Sequence, residues 1–236
     1  MEALFGLILL LILGAVTWCV ASEGAWGAAL MLVTVIFAGL LTMSFFEPLA
    51  ATLEDKGPGA FRPYADITAF MGLFALFTFL LRLGTDYLAP NDVQVDARVY
   101  HALRWLFALA TGYTTVAILL TALHTAPLPR KFIGFQPESR NLFEFAAPDR
   151  QWLGFVQHVS EKILMTGRIF DGPVFVVKDG EQDFEQKVWP SFPIRYATRR
   201  RELEAGGGGA RKVGAPSGGS GSAPAAPSGP GATPAF

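Results

Sequence analysis

The sequence predicts an all-α membrane protein with about four transmembrane helices, a small C-terminal extramembrane segment and a disordered tail. Three observations predict it. Hydrophobic residues make up 51% of the 236 and charged residues only 17%, with mean hydropathy +0.36. Four runs of spanning length lie within the first 125 residues. The last stretch, 205–236, has fifteen Gly or Pro, with Ser and Ala filling most of the rest. A helix needs about 20 apolar residues to cross the hydrocarbon core, and a Gly/Pro/Ser/Ala stretch cannot bury a core of its own. The predicted divisions are therefore a transmembrane domain at 1–125, an aromatic-rich extramembrane segment at 126–204 and a tail at 205–236.

The first two candidate spans, Ala3–Ala21 and Ala25–Phe45, flank the stretch SEGAWGAALM at 22–31. Charge is costly in hydrocarbon, so Glu23 belongs at the interface, and Glu23 with Gly24 predicts a tight turn between two spanning helices. Gly24, Gly27, Ala28 and Ala29 either let helices approach closely or simply relieve crowding at the turn. The first run lacks the positive leader region and the small-x-small cleavage site of a signal peptide, so it reads as a span.

The third candidate is Asp66–Leu83, with an uncharged centre from 67 to 81. The fourth is Ala102–Leu123, with Arg104 at its start and His124 just past its end. All four runs are apolar all round, which suits lipid. Between spans two and three, residues 47–64 begin helix-like and end in turn chemistry at Pro58, Gly59 and Pro63. Between spans three and four, the loop 84–101 carries Asp86, Asp92, Asp96 and Arg98. Asp92 and Asp96 could share a helix face at i,i+4, an arrangement expected to be solvated. Arg82 and Asp86, also at i,i+4, read as an anchor where the third span meets the interface.

Pro127 and Pro129 stop the fourth helix. Beyond them, PDRQWLGFVQHVSEKIL (148–164) places Trp152, Phe155, Val156, Val159 and Ile163 near one helix face, with Pro148 and Asp149 as a start signal. It predicts an amphipathic helix, lying in the interface or packed in a small domain. GPVFVVKDG (172–180) reads as a short strand between turns. So few aliphatics make a marginal independent core, and the segment is expected to lie against the membrane domain or its headgroups. Arg195, Arg199, Arg200 and Arg201 in RYATRRRE form a basic cluster, expected to be solvated or to anchor the segment near headgroups, although such a cluster can hold phosphate.

The search for chemistry names no catalytic residue, no cofactor-binding residue and no metal ligand. His101, His124 and His158 are far apart and fit no ligand spacing. There is no GxSxG elbow and no phosphate-binding loop. The single cysteine, Cys19, excludes an intrachain disulfide and is expected to be a buried inert thiol. The net charge of −1 gives no bias toward nucleic acid. Residues 1–125 carry five Lys/Arg against nine Asp/Glu, and residues 126–236 carry fourteen against eleven. Thr34, Thr42, Thr78, Thr111 and Thr114 are the polar candidates for a pathway, but hydroxyls in helices commonly bond back to their own backbone.

The stretch EGAWGAALMLVTVIFAGLL resembles the second-helix signature of the colicin V production (CvpA-like) proteins, through Gly24, Ala29, Leu30 and Val33. DARVYHALRWLFALATGYTTVAILLTAL resembles the fourth-helix signature, where glycines recur at four-residue spacing. Gly112 matches and Ala108 is a small substitute, but Arg104 stands where a third Gly is common, and SEG stands where the family usually has a basic first turn. The resemblance covers about residues 1–125. It implies a multi-pass protein of the bacterial inner membrane, accessory to production or secretion of a peptide toxin or to envelope maintenance; with no catalytic motif in the sequence, a non-enzymatic role without cofactor is expected. A small channel or transporter subunit is the alternative. The partners expected are the lipid bilayer and other membrane proteins, or a second copy through small-residue helix faces; no nucleic acid is expected. A count of basic residues slightly favours both termini inside, whereas the family's basic first turn implies the reverse, with 22–24 and 84–101 cytoplasmic.

Overall fold

The computed structural model describes residues 2–88, 96–127, 135, 146–163, 174–177, 184–187 and 192–204. The fold is helical, with four helices long and apolar enough to cross a membrane: α1 (Glu2–Ser22), α2 (Gly24–Lys56), α3 (Ala65–Leu88) and α4 (Ala97–Thr125). Outside these four come α5 (Pro148–His158), a π turn at Val159–Ile163, and α6 (Phe192–Glu204). The strand expected near 172–180 is present as β1 (Val174–Val177), paired antiparallel with β2 (Phe184–Lys187) so that Val174 faces Lys187 and Val177 faces Phe184. Asp92, Arg130, Lys131 and the tail 205–236 lie outside the described residues.

Each span is longer than its apolar run. α2 continues about three turns past Phe46 to Lys56, through Pro48. Proline lacks the N–H that would reach the carbonyl four residues back, and here it falls just after the apolar run ends. Gly57 caps the helix, Pro58 follows, and a 3-10 turn (Gly59–Tyr64) leads into α3. The expected loop 84–101 is shorter than its sequence suggests, because Gly84–Leu88 completes α3 and Ala97–His101 opens α4. Asp96 is the N-cap of α4, its carboxylate accepting from the Arg98 N–H at 3.0 Å, a helix-starting role.

The predicted turn between α1 and α2 is present, and its glycine is required. Gly24 has φ +89°, a conformation that side chains disfavour, and a Cβ there would sit 2.5 Å from the Tyr100 hydroxyl. α1 packs along α4, and α2 packs against both α3 and α4. Ala28 meets Val20, Ala21 and Ala108 in one buried cluster. A Cβ on Gly112 would lie 2.6 Å from Thr17 Oγ1 and 3.0 Å from the Leu13 carbonyl oxygen of α1. The small residues of α4 therefore serve helix contact inside the chain. Cys19, by contrast, is exposed on the outer face of α1 and not buried as expected: its neighbours Thr17 and Val20 take the inward positions of that turn.

The main core is shared by the spans and the C-terminal segment. Val35, Ala38, Phe46, Phe70, Phe74 and Ile118 form one cluster with Trp152, Leu153 and Val156 of α5 and Phe192 and Tyr196 of α6. So α5 does not depend on a separate domain core: of the predicted face, Trp152, Val156 and Val159 are buried, joined by Leu153, whereas Phe155 and Ile163 are exposed. Gly39 makes this possible, since a Cβ there would be 2.5 Å from the Trp152 ring and 2.7 Å from Ile118.

Candidate functional site

The ionisable side chains of the four spans collect at the two ends of the bundle. At the end where α2 finishes, α3 starts and α4 finishes, several are wholly or partly buried and interlinked, while Asp55, Lys56 and Arg62 stay exposed. Glu47 and Glu54 lie two turns apart on α2, and Asp66 stands in the first turn of α3 with no solvent exposure. α6 lies across them. Its Phe192 and Tyr196 are one turn apart and pack on Phe46, with ring centroids 6.2 and 6.3 Å away. The same one-turn spacing places Arg195 and Arg199 together. Arg195 Nη1 donates to Glu47 Oε1 at 2.8 Å, Arg199 Nε reaches Asp66 Oδ2 at 2.9 Å, and Arg199 Nη2 donates to Glu54. Arg200 is buried beside them; Arg201 lies outside the described side chains. Arg195, Arg199 and Arg200 of RYATRRRE are thus turned into the bundle and not solvated as expected. Guanidinium groups placed on the apolar side of a short helix find carboxylates on the helices that this side covers.

The second link joins α4 to α5. His124 is inside α4, one residue before its end, with a side chain 1% exposed; Asp149 is in the first turn of α5 with a side chain 0% exposed. His124 Nε2 and Asp149 Oδ2 are 2.8 Å apart. The imidazole lies between aromatic rings, 5.3 Å from Phe135 and 6.5 Å from Phe192, so water has no access and the pair is enclosed by apolar surface. His124 Nδ1 and Asp149 Oδ1 have no hydrogen-bond partner among the described residues. A buried His–carboxylate pair can hold a proton between two elements and fasten them; it lacks, among the described residues, a third group within reach that would make it a nucleophilic triad. Halfway up α4, the Tyr113 hydroxyl donates to the Gln151 side chain, fixing α5 a second time.

At the opposite end the arrangement is open. Arg82 Nη2 is 2.6 Å from Glu23 and 3.2 Å from Asp86. The anchor expected at Arg82 and Asp86 is therefore a bridge that also holds the α1–α2 turn. Trp18 and Trp105 stack obliquely at 6.2 Å, with Arg104 over the Trp105 ring at 5.8 Å, as aromatic and basic residues do at a membrane interface.

The three histidines remain apart, and no group of three His, Cys, Asp or Glu able to hold a metal is found among the described residues. Thr42, Thr111 and Thr114 donate to the carbonyls of Ala38, Phe107 and Ala110 at 2.7–2.8 Å. The Thr34 and Thr78 hydroxyls are buried without a partner among the described residues. What the sequence reading missed is the pairing across 25 residues of His124 with Asp149, and of Arg195 and Arg199 with carboxylates some 145 residues earlier. A signal existed: Glu47, Glu54 and Asp66 are the carboxylates nearest the ends of spans two and three, on the side where α4 hands over to the basic segment. In comparisons with known proteins, no family model, no curated protein and no solved structure matches this chain.

Proposed function

We propose that the chain is a non-enzymatic multi-pass membrane protein of the CvpA-like type, accessory to toxin production or secretion or to envelope maintenance in a bacterial inner membrane. The observation that carries this reading is the clasp at the closed end of the bundle. Its titratable groups are engaged with one another, Arg195 with Glu47, Arg199 with Glu54 and Asp66, His124 with Asp149. They fasten two C-terminal helices onto three of the four spanning ones, and so hold a fixed surface at one end of the bundle. A scaffold for other envelope proteins needs such a surface. The channel alternative would draw on the threonines; three of the five hydroxyls, those of Thr42, Thr111 and Thr114, are committed to their own helices, and those of Thr34 and Thr78 are not.

The reading is tested by complementation. In a bacterium deleted for its own colicin V production protein, the full chain is expected to restore toxin export or envelope integrity. The Arg195→Glu/Arg199→Glu double variant is expected to insert but not to restore either. Failure of the intact, membrane-inserted chain in both assays would overturn the proposal.

A further inference from the structure

α5 does not lie flat beneath the bundle. Its first turn is tied to His124 at the end of α4, Trp152 sits against Ile118 and Gly39, and Gln151 accepts from Tyr113. Tyr113 is eleven residues before His124, about 16 Å up the helix at 1.5 Å per residue. α5 therefore returns alongside α4 into the depth that the four spans occupy. Its inner face, Trp152, Leu153 and Val156, is buried in the core. Its outer face is Gln151, Gly154, Phe155 and His158, continued by Glu161 and Lys162 on the π turn, all exposed. Polar side chains turned to hydrocarbon at this depth are costly, and such residues in membrane proteins face protein or water.

From this face we infer that a second copy of the chain packs α5 against α5 around a two-fold axis along the membrane normal. Gln151, Gly154 and His158 follow the 3,4 spacing of a helix-to-helix seam. Gly154 has nothing within 4 Å of a Cβ position, so a second backbone can approach there, and small residues are what close helix packing in lipid uses. The charges choose the occupant. Glu161 and Lys162 are adjacent, 3.2 Å apart, so the face carries one acid and one base at one level. A two-fold axis brings equal levels together and sets Glu161 of each copy near Lys162 of the other, while His158 meets its own counterpart and the Gln151 amide, whose oxygen accepts from Tyr113, keeps its N–H groups to donate. A face that complements itself is what an isologous dimer requires. The inference rests on the spanning topology and not on the accessory role proposed above.

The test uses the full chain in native membranes with Cys19→Ser as background. Gly154→Cys and His158→Cys are each expected to give an oxidant-dependent cross-linked species of twice the chain's mass. Leu80→Cys on the lipid-facing side of α3 is expected to give none. In detergent, light scattering is expected to show a dimer that Gly154→Trp weakens at least tenfold and Gly72→Trp leaves intact. Monomer mass in detergent together with no cross-link at either position would overturn the inference. So would a cross-link to a species of another mass, which would mean a different protein as partner. Labelling of His158→Cys by a membrane-impermeant thiol reagent without any cross-link would also overturn it, showing that the face lines water.

Discussion

Arg82 at one end of the bundle and Arg199 at the other do the same chemistry in different surroundings. Each guanidinium joins two carboxylates from different elements: Glu23 of the α1–α2 turn and Asp86 of α3 for Arg82, Glu54 of α2 and Asp66 of α3 for Arg199. At the open end the partners keep water, Arg82 being 26% and Glu23 36% exposed. At the closed end Arg199, on α6, is 21% exposed, but its partner Asp66 is fully buried. An exposed pair gains little because water competes for both charges. A buried pair has already lost its water, so neither charge tolerates the loss of the other. The first arrangement steadies a turn; the second holds a terminal segment in place.

If that contrast is right, Arg199→Ala has the largest effect of any single change considered. It takes the Arg199 ion pair away from the buried Asp66 carboxylate and from Glu54 as well. Removing one partner of a buried pair costs about 3–5 kcal/mol. The expected outcome is a large drop in the thermal unfolding temperature of the full chain in detergent, with α6 becoming accessible to protease before the spans unfold. Unchanged stability would show that Asp66 recovers water or another partner, and the two ends would then be alike.

The His124–Asp149 link sharpens the comparison by a smaller amount. Asp149→Ala strands a buried imidazole nitrogen, a loss of about 1–3 kcal/mol. Asp149→Asn keeps an acceptor oxygen in the same place and is expected to cost less. The comparison is a thermal unfolding series with both variants. Equal losses would mean that packing at Asp149, and not its bond to His124, sets the cost.

Gly112→Leu probes helix contact without touching charge. Its side chain would run into Thr17 and the Leu13 carbonyl of α1, and overpacking costs about 1–3 kcal/mol. Gly72→Leu, where nothing lies within 4 Å of a Cβ position, is expected to be neutral or mildly stabilising. Detergent thermal stability of the two side by side decides whether glycine at 112 is there for contact. If the two variants match, it is not.

The spans, the Glu23–Gly24 turn, the role of Gly112 and the strand near 172–180 were legible in the sequence because each follows from a local rule. Apolar length sets a span, positive φ calls for glycine, and small residues permit contact. The placement of α5 and α6 was not legible, because it depends on pairs separated by 25 to about 148 residues. Trp152, Phe155, Val156, Val159 and Ile163 announced an amphipathic helix, yet an apolar face fits an interface, a small domain or a bundle groove equally well. Gly39, a gap on another helix that admits the Trp152 ring, selects among these together with His124 and Tyr113. Arg195 and Arg199 were likewise visible as charges but not as partners, since a charge pattern does not say which carboxylate comes near. Cys19 shows the same limit at a single residue: an apolar run in lipid has no outside that composition can reveal.

The smallest expected effect is at the open end. Glu23→Gln keeps a side chain of nearly the same shape and removes only the charge that faces Arg82. Arg82 retains Asp86 at 3.2 Å, and water reaches both groups, so the loss should stay within about 1 kcal/mol. Gly24 at φ +89° and the Tyr100 hydroxyl above it still shape the turn, because neither depends on the charge of Glu23. Exposed pairs are also screened by salt, whereas buried ones are screened much less. The thermal unfolding temperatures of the wild-type chain and Glu23→Gln should therefore converge as salt rises, while the gap between wild type and Arg199→Ala persists. A salt-independent loss at Glu23 of the size expected for Arg199→Ala would mean that the turn is sealed from water, and that the two ends of the bundle are built alike.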